Sequence, residues 1–137
     1  YIETDYPIGL VSLSPKFSNS VPKVGVTTPA GKVVDERFVK THNRYRLNTD
    51  SIKRMIRYHE DYHYKPVWDG TEKNLKEIEE YRNNLDIPKS KTYIMPAGDN
   101  REQLIKMYPI VFKMCAEHGY NMTGRDHIIS FNTERGV

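Results

Sequence analysis

One cysteine, Cys115, occurs in 137 residues. That excludes a disulfide framework and any site needing several thiolates from this chain, and it leads us to expect a reducing, cytoplasmic setting. No run approaches the roughly 20 apolar residues of a membrane span, and mean hydropathy is −0.73. An integral membrane protein is excluded, and no membrane partner is expected. Charge of one sign is also scarce: Lys+Arg 21 against Asp+Glu 18 leaves +3. That is too mild and too evenly mixed to argue for nucleic-acid binding, so no direct nucleic-acid binding is predicted. No G-x-G-x-x-G or Walker pattern occurs, which excludes a conventional phosphate loop. No secretory signal opens the chain. It begins at Tyr1 rather than Met, so a longer product is expected. What is present suffices for one small domain over 1–137, with 37% hydrophobic residues to build a single core.

Four short runs rich in β-branched or aromatic residues predict buried strands: Gly9–Ser14, Tyr64–Trp68, Thr92–Met95 and His127–Phe131. Pro66 weakens the second, because proline removes a ladder donor. Three helical patterns lie between them. One spans about Asp50 to His63, with Ile52, Met55, Ile56 and His59 on a face. The next spans about Thr71 to Leu85, with Thr71 as N-cap and Leu75, Ile78, Tyr81, Arg82 and Leu85 on a stripe. The third spans about Asn100 to His118. Asp99 and Glu102 read as its capping box, and Gly119 as its C-cap. Leu104, Ile105, Tyr108, Val111, Phe112 and Cys115 make its inner face, and Pro109 predicts a kink.

This alternation implies parallel strands joined by right-handed crossovers. In such sheets chemistry gathers at the carboxyl ends of strands. The rule selects Ser14-Pro15-Lys16, Trp68-Asp69-Gly70, Pro96-Ala97-Gly98 and whatever follows Phe131. A lysine at the carboxyl end of a buried parallel strand is costly unless it meets an anion, so Lys16 is expected to face a ligand. Residues 17–47 break the rhythm. This excursion carries a basic cluster at Lys40, His42, Arg44 and Arg46, and Thr28-Pro29-Ala30-Gly31 could turn a hairpin. Long excursions after a strand's carboxyl end are often functional; a decorated surface loop accounts for it equally well.

His59-Glu60-Asp61-Tyr62-His63 matches H-E-x-x-H, the zinc-hydrolase pattern, with Glu79 or Glu80 as a third ligand. We read it instead as a polar helix C-terminus, because the motif occupies the last turn and the next strand follows almost at once. Arg125-Asp126-His127 leads into the last predicted strand. Arg125 could clamp a carboxylate and His127 could carry a proton, or both could be ordinary surface groups. Cys115 on an apolar stripe reads as an inert core thiol.

At the strand ends the sequence resembles a family. Val11-Ser12-Leu13-Ser14-Pro15-Lys16-Phe17-Ser18-Asn19-Ser20 is similar to the S-x-S-P-K-x-S-N-S segment of 7-carboxy-7-deazaguanine synthases. Ile2-Glu3-Thr4 resembles their E-T strand end, and Tyr64-Lys65-Pro66-Val67 their Y-Q-L-K-F-V strand. Tyr93 to Gly98 resembles L-M-P-E-G, with Ala97 in place of the glutamate. Cys115 to Tyr120 resembles C-K-E-H-G-Y, and Arg125 to Val137 the closing R-L-H-x-x-x-x-x-N-x-R-G-V. The matches run in order over nearly the whole chain except 21–47.

The resemblance implies an α/β fold, the parallel-stranded C-terminal portion of a partial (β/α) barrel of the radical S-adenosylmethionine type. It implies a lyase of queuosine and 7-deazapurine biosynthesis, converting 6-carboxy-5,6,7,8-tetrahydropterin to 7-carboxy-7-deazaguanine. The cofactors implied are S-adenosylmethionine, a 4Fe-4S cluster and Mg²⁺. Thr4, Ser12, Ser14 and Lys16 would line the S-adenosylmethionine pocket, with Met95 and Pro96 near the adenine. Arg125, His127, Arg135 and Val137 would face the pterin. The family's three cluster cysteines and its Mg²⁺-binding threonine belong to an N-terminal half that this chain does not contain. It is therefore expected to be silent without a cluster-bearing N-terminal half or partner chain, and to work in a homodimer of the full enzyme. A non-catalytic α/β module binding a nucleotide or a partner is the alternative reading, and a zinc hydrolase at His59 and His63 a more distant one.

Overall fold

The computed structural model describes residues 4–134. Five short strands and five helices follow in the order β1 (Val11–Leu13), α1 (Glu36–Arg46), α2 (Asp50–Tyr58), β2 (Tyr62–Tyr64), β3 (Val67–Trp68), α3 (Glu72–Asn84), β4 (Tyr93–Pro96), α4 (Arg101–His118), β5 (Asn121–Met122) and α5 (Asp126–Phe131). The fold is α/β with every strand pair parallel. A two-stranded sheet pairs β1 with β2, and a three-stranded sheet runs β3-β4-β5. A single parallel bridge, Tyr64 to Thr92, joins them.

The predicted strand Tyr64–Trp68 is divided in two. Pro66 has no amide to donate, so the ladder stops on either side of it, while its carbonyl still accepts from the Met95 amide at 2.9 Å. Register then sorts side chains by parity. Leu13 stands beside Tyr64, and Tyr64 beside Thr92, all buried. Trp68 stands beside Pro96, also buried. Ser12 beside His63, and Val67 beside Met95, occupy the other face, which stays exposed or half-buried.

The buried face packs on α3 and α4. Ile78 of α3 and Val111, Met114 and Cys115 of α4 join Leu13, Tyr64, Trp68 and Ile94 in one core. Complete burial of Ile78 stabilises by about 1.5–3 kcal/mol relative to exposure. The Tyr64 hydroxyl donates to the Ile78 carbonyl at 3.1 Å, so its one polar atom costs little to bury. Burial also lifts the Tyr64 hydroxyl's pKa above that of free tyrosine, keeping that donor protonated. Thr71 caps α3 as expected, its hydroxyl accepting from the Asn74 amide at 3.2 Å. Gly119 ends α4 with φ 75°, the left-handed geometry that favours glycine.

Five expectations are corrected. The run His127–Phe131 is helix α5, not a strand; a short apolar run carries no period that separates the two. The last strand is β5, polar at Asn121 and set immediately behind the Gly119 cap. Helix α2 ends at Tyr58 rather than His63, because β2 claims Tyr62–Tyr64. The α4 cap lies one residue on: Asn100 accepts from the Gln103 amide, and Gln103 accepts from the Asp99 amide, at 2.9 and 2.8 Å. The inner face of α4 is rotated, with Leu104, Val111, Met114 and Cys115 buried and Ile105 and Phe112 exposed. Helix α4 runs uninterrupted through exposed Pro109.

Within the excursion, the Thr27–Val33 bridge and the Gly31 amide bonded to Thr28 form the expected hairpin turn. Its helix α1 had no counterpart among the predicted elements. Asp35 caps it, accepting from the Phe38 amide at 2.7 Å, yet no residue of α1 is buried. Among the described residues no helix is long and apolar enough to cross a membrane.

Candidate functional site

All the parallel strands point their carboxyl ends to one side, and an open cleft of about 320 Å³ lies there. Ser14, Pro15, Lys16 and Asn19 line it after β1, Val67 from β3, Ala97, Gly98 and Asp99 after β4, and Arg125 after β5. Arg125 reaches this rim because it follows the last strand instead of leading into it. Its guanidinium donates to the Gly98 carbonyl at 2.9 Å, and its amide donates to the Tyr108 hydroxyl at 3.4 Å. The two exits carrying Gly98 and Arg125 are thus clipped together.

Asp69 fixes the first exit against the second. One of its oxygens accepts from the Asn19 side chain at 2.9 Å. The other accepts from the Thr71 amide and hydroxyl at 2.9 and 2.6 Å. Partial burial pushes the Asp69 carboxyl up, but the hydrogen bonds from Thr71 and Asn19 outweigh it and hold the pKa below the usual carboxylate value. Phe17 anchors the same loop in the core, edge-on to Tyr81 at 5.9 Å, while the Ser18 amide donates to Glu77 at 3.3 Å. The loop therefore has a buried foot and a tethered tip, leaving the Lys16 side chain exposed at the cleft wall.

Gly98 is required by close approach. A Cβ there would stand 2.9 Å from Leu104 Cδ2 and 3.1 Å from the Leu104 amide nitrogen. Gly124 is similar, since a Cβ would meet the Tyr108 hydroxyl at 2.5 Å. Both glycines let the strand exits lie flat against α4.

The predicted site residues are distributed unevenly. Ser14, Lys16 and Arg125 share the cleft. Ser12 and Met95 lie on the open face of the sheet below it. Pro96 has the opposite parity and is fully buried beside Trp68. Thr4 is exposed, its hydroxyl donating to the Tyr6 carbonyl at 2.8 Å, and it is absent from the cleft lining. His127 is exposed in the first turn of α5, also outside the cleft lining. Arg135 and Val137, like Ile2 and Glu3, fall outside the described residues. Asn19, Asp69, Gly98 and Asp99 carry no predicted role, although the strand-exit rule had drawn attention to Asp69 and Gly98.

His59 and His63 do not form a metal site. His59 caps the end of α2 with extended backbone, is buried, and accepts from the Ile8 amide at 2.9 Å. His63 is in β2 with its ring 4.5 Å from that of Tyr93. The helical turn that would align the two imidazoles is missing, and among the described residues no group of three metal-ligating side chains exists. Burial raises the Cys115 thiol to about 11, so it stays protonated and inert, as its place on an apolar stripe implied.

The chain is 34% identical over 128 residues, 93% of its length, to a 7-carboxy-7-deazaguanine synthase from Rhodopirellula baltica, and it spans 46% of that protein. The resemblance read from the strand ends thus holds over nearly the whole chain. No family model matches the chain, and no solved structure matches it.

Proposed function

We propose that this chain is the C-terminal part of a 7-carboxy-7-deazaguanine synthase, supplying one wall of a small-molecule site completed by a cluster-bearing segment. The observation that carries the reading is the cleft at the carboxyl ends of the strands, where Ser14, Lys16 and Arg125 stand together. Strand neighbours follow chain order from β1 through β2 and the single bridge to β4 and β5. That is the order of strands around a (β/α) barrel. One sheet face is packed by helices, and the other, bearing Ser12, Val67 and Met95, is open as a barrel interior would be.

The donor set fits S-adenosylmethionine. Serine hydroxyls can bond ribose oxygens, and the Lys16 ammonium can meet the methionyl carboxylate. Bound with a reducing cluster, that cofactor supplies hydrogen abstraction from the pterin. The chain's own residues do not fit the cluster. Its one thiol is buried and held protonated, so the cluster is held elsewhere in the assembled enzyme. The work of this chain is to bind and orient. Lys16 and Arg125 place anionic groups of the two ligands, and the Asp69–Asn19 tether keeps Lys16 in position.

The test is anaerobic reconstitution with a cluster-bearing N-terminal half, following 5′-deoxyadenosine. The product is expected only with both parts, and Lys16→Ala is expected to lower its formation at least about tenfold, the scale of one lost charge-assisted contact. Absence of product with a competent half would sink the proposal. A second reading, a non-catalytic module that pairs with another chain, draws on β1 lying at a sheet edge with its outer side unpaired among the described residues.

A further inference from the structure

The near balance of charge over the whole chain conceals a separation. Between Lys23 and Arg57 stand nine Lys or Arg against three Asp or Glu, leaving twelve against fifteen in the rest. The excess of six positive charges is therefore confined to the excursion, α1 and α2, and the remainder is net negative. Every one of those nine basic residues except Arg46 is exposed. Arg46 is held by its bond to Asn43 at 2.6 Å. The acidic residues of the segment sit at helix starts: Asp35 caps α1, while Glu36 and Asp50 occupy first turns.

Helix α1 adds a second, independent feature. It spans 11 residues without burying one, although it carries large aromatic rings. Phe38 is 41% exposed and Tyr45 72% exposed. They are seven residues apart, two helical turns, and so share a face. Arg37 and Arg44 repeat at the same interval, one step behind them around the helix. Paired rings flanked by paired guanidinium groups form a surface for stacking bases and contacting phosphates. Apolar protein partners would gain little from so much charge. An acidic lipid surface would require a continuous apolar face opposite the charges, and α1 has three apolar residues in eleven with Arg37 and Arg44 directly beside its rings.

We propose that this face of α1 binds single-stranded nucleic acid, with Phe38 and Tyr45 stacking on bases and Arg37 and Arg44 meeting the backbone. The site is separate from the strand-end cleft and needs neither cluster nor pterin, so it stands or falls independently of the proposed enzyme reading.

The test uses the intact gene product and a fluorescein-labelled 20-nucleotide RNA of mixed sequence. Anisotropy is read from 50 to 200 mM KCl, with the matching duplex and phosphatidylserine-containing vesicles as competitors. Tighter binding to the single strand than to the duplex is expected, weakening as salt rises. Phe38→Ala with Tyr45→Ala should weaken it about tenfold or more at unchanged salt slope. Arg37→Gln with Arg44→Gln should weaken it and reduce the slope by about 1.4, the value for two lost phosphate contacts. Arg37, Arg44 and Tyr45 are well exposed and Phe38 is 41% exposed, so the variants should stay folded at the assay temperature, as circular dichroism will check. Failure to bind the RNA overturns the proposal. So does displacement by vesicles but not by nucleic acid, or binding that neither double variant alters.

Discussion

Helices α1 and α4 stand at opposite extremes of the same small molecule. Helix α4 puts Leu104 and Val111 completely out of solvent and seats β4 and β5 through Gly98 and Gly124. Helix α1 has a well-formed N-cap and fully buries no residue. The difference separates two ways a helix persists: α4 through the apolar surface it removes from water, α1 through its Asp35 cap and the partial cover of Val39, His42, Asn43 and Arg46. It also separates two roles. The well-packed region holds geometry, and the thinly packed one offers charge.

Leu104→Ala should break the comparison most violently, losing about 2–5 kcal/mol in urea unfolding. Tyr45→Ala on the thinly packed helix, where the ring is 72% exposed, should change stability by under about 0.5 kcal/mol. Equal effects would contradict the division. Gly98→Ala comes next. Its Cβ would drive into Leu104, and a loss of about 1–3 kcal/mol is expected, together with weakened S-adenosylmethionine binding in the reconstituted enzyme. The smallest effect concerns the tether between the first two strand exits, which belongs to the well-packed region. The Asp69 pKa is lowered in the folded chain, so its contribution is complete above the unfolded carboxylate value of about 3.9. It is lost as pH falls through the lower folded value. Hydrogen exchange at the amides of 18–20 should quicken over that acidic range, and Asp69→Asn should abolish the dependence.

Much of this was legible in the chain itself. Alternating apolar runs disclosed parallel strands, and the positions of Thr71 and Gly119 fixed helix ends because each has a local chemical reason. The strand-exit rule led to Lys16, Asp69 and Gly98 before their neighbours were known. Other features depend on tertiary context. Asn121-Met122 has no strand signature and pairs only because β4 offers a free edge. Ile128-Ile129 has β-branched side chains, yet it turns as a helix whose carbonyls at Ile129 and Ser130 are gripped by Arg101 at 2.6 and 3.0 Å. Helix α1 has only Phe38, Val39 and Tyr45 as apolar residues among eleven, so it reads as part of the polar excursion. The charge segregation is itself legible, since the basic excess of residues 23–57 can be counted along the chain; what the structure adds is that all but one of those basic residues are exposed.

Pro66 leaves the two sheets joined by one residue pair, Tyr64 with Thr92. The ledge carrying Lys16 belongs to one sheet, and the ledge carrying Gly98 and Arg125 belongs to the other. Across that seam the crevice is held by the Asn19–Asp69 hydrogen bond and the shared core rather than by a continuous ladder. A small molecule gripping both ledges would act as the missing rung.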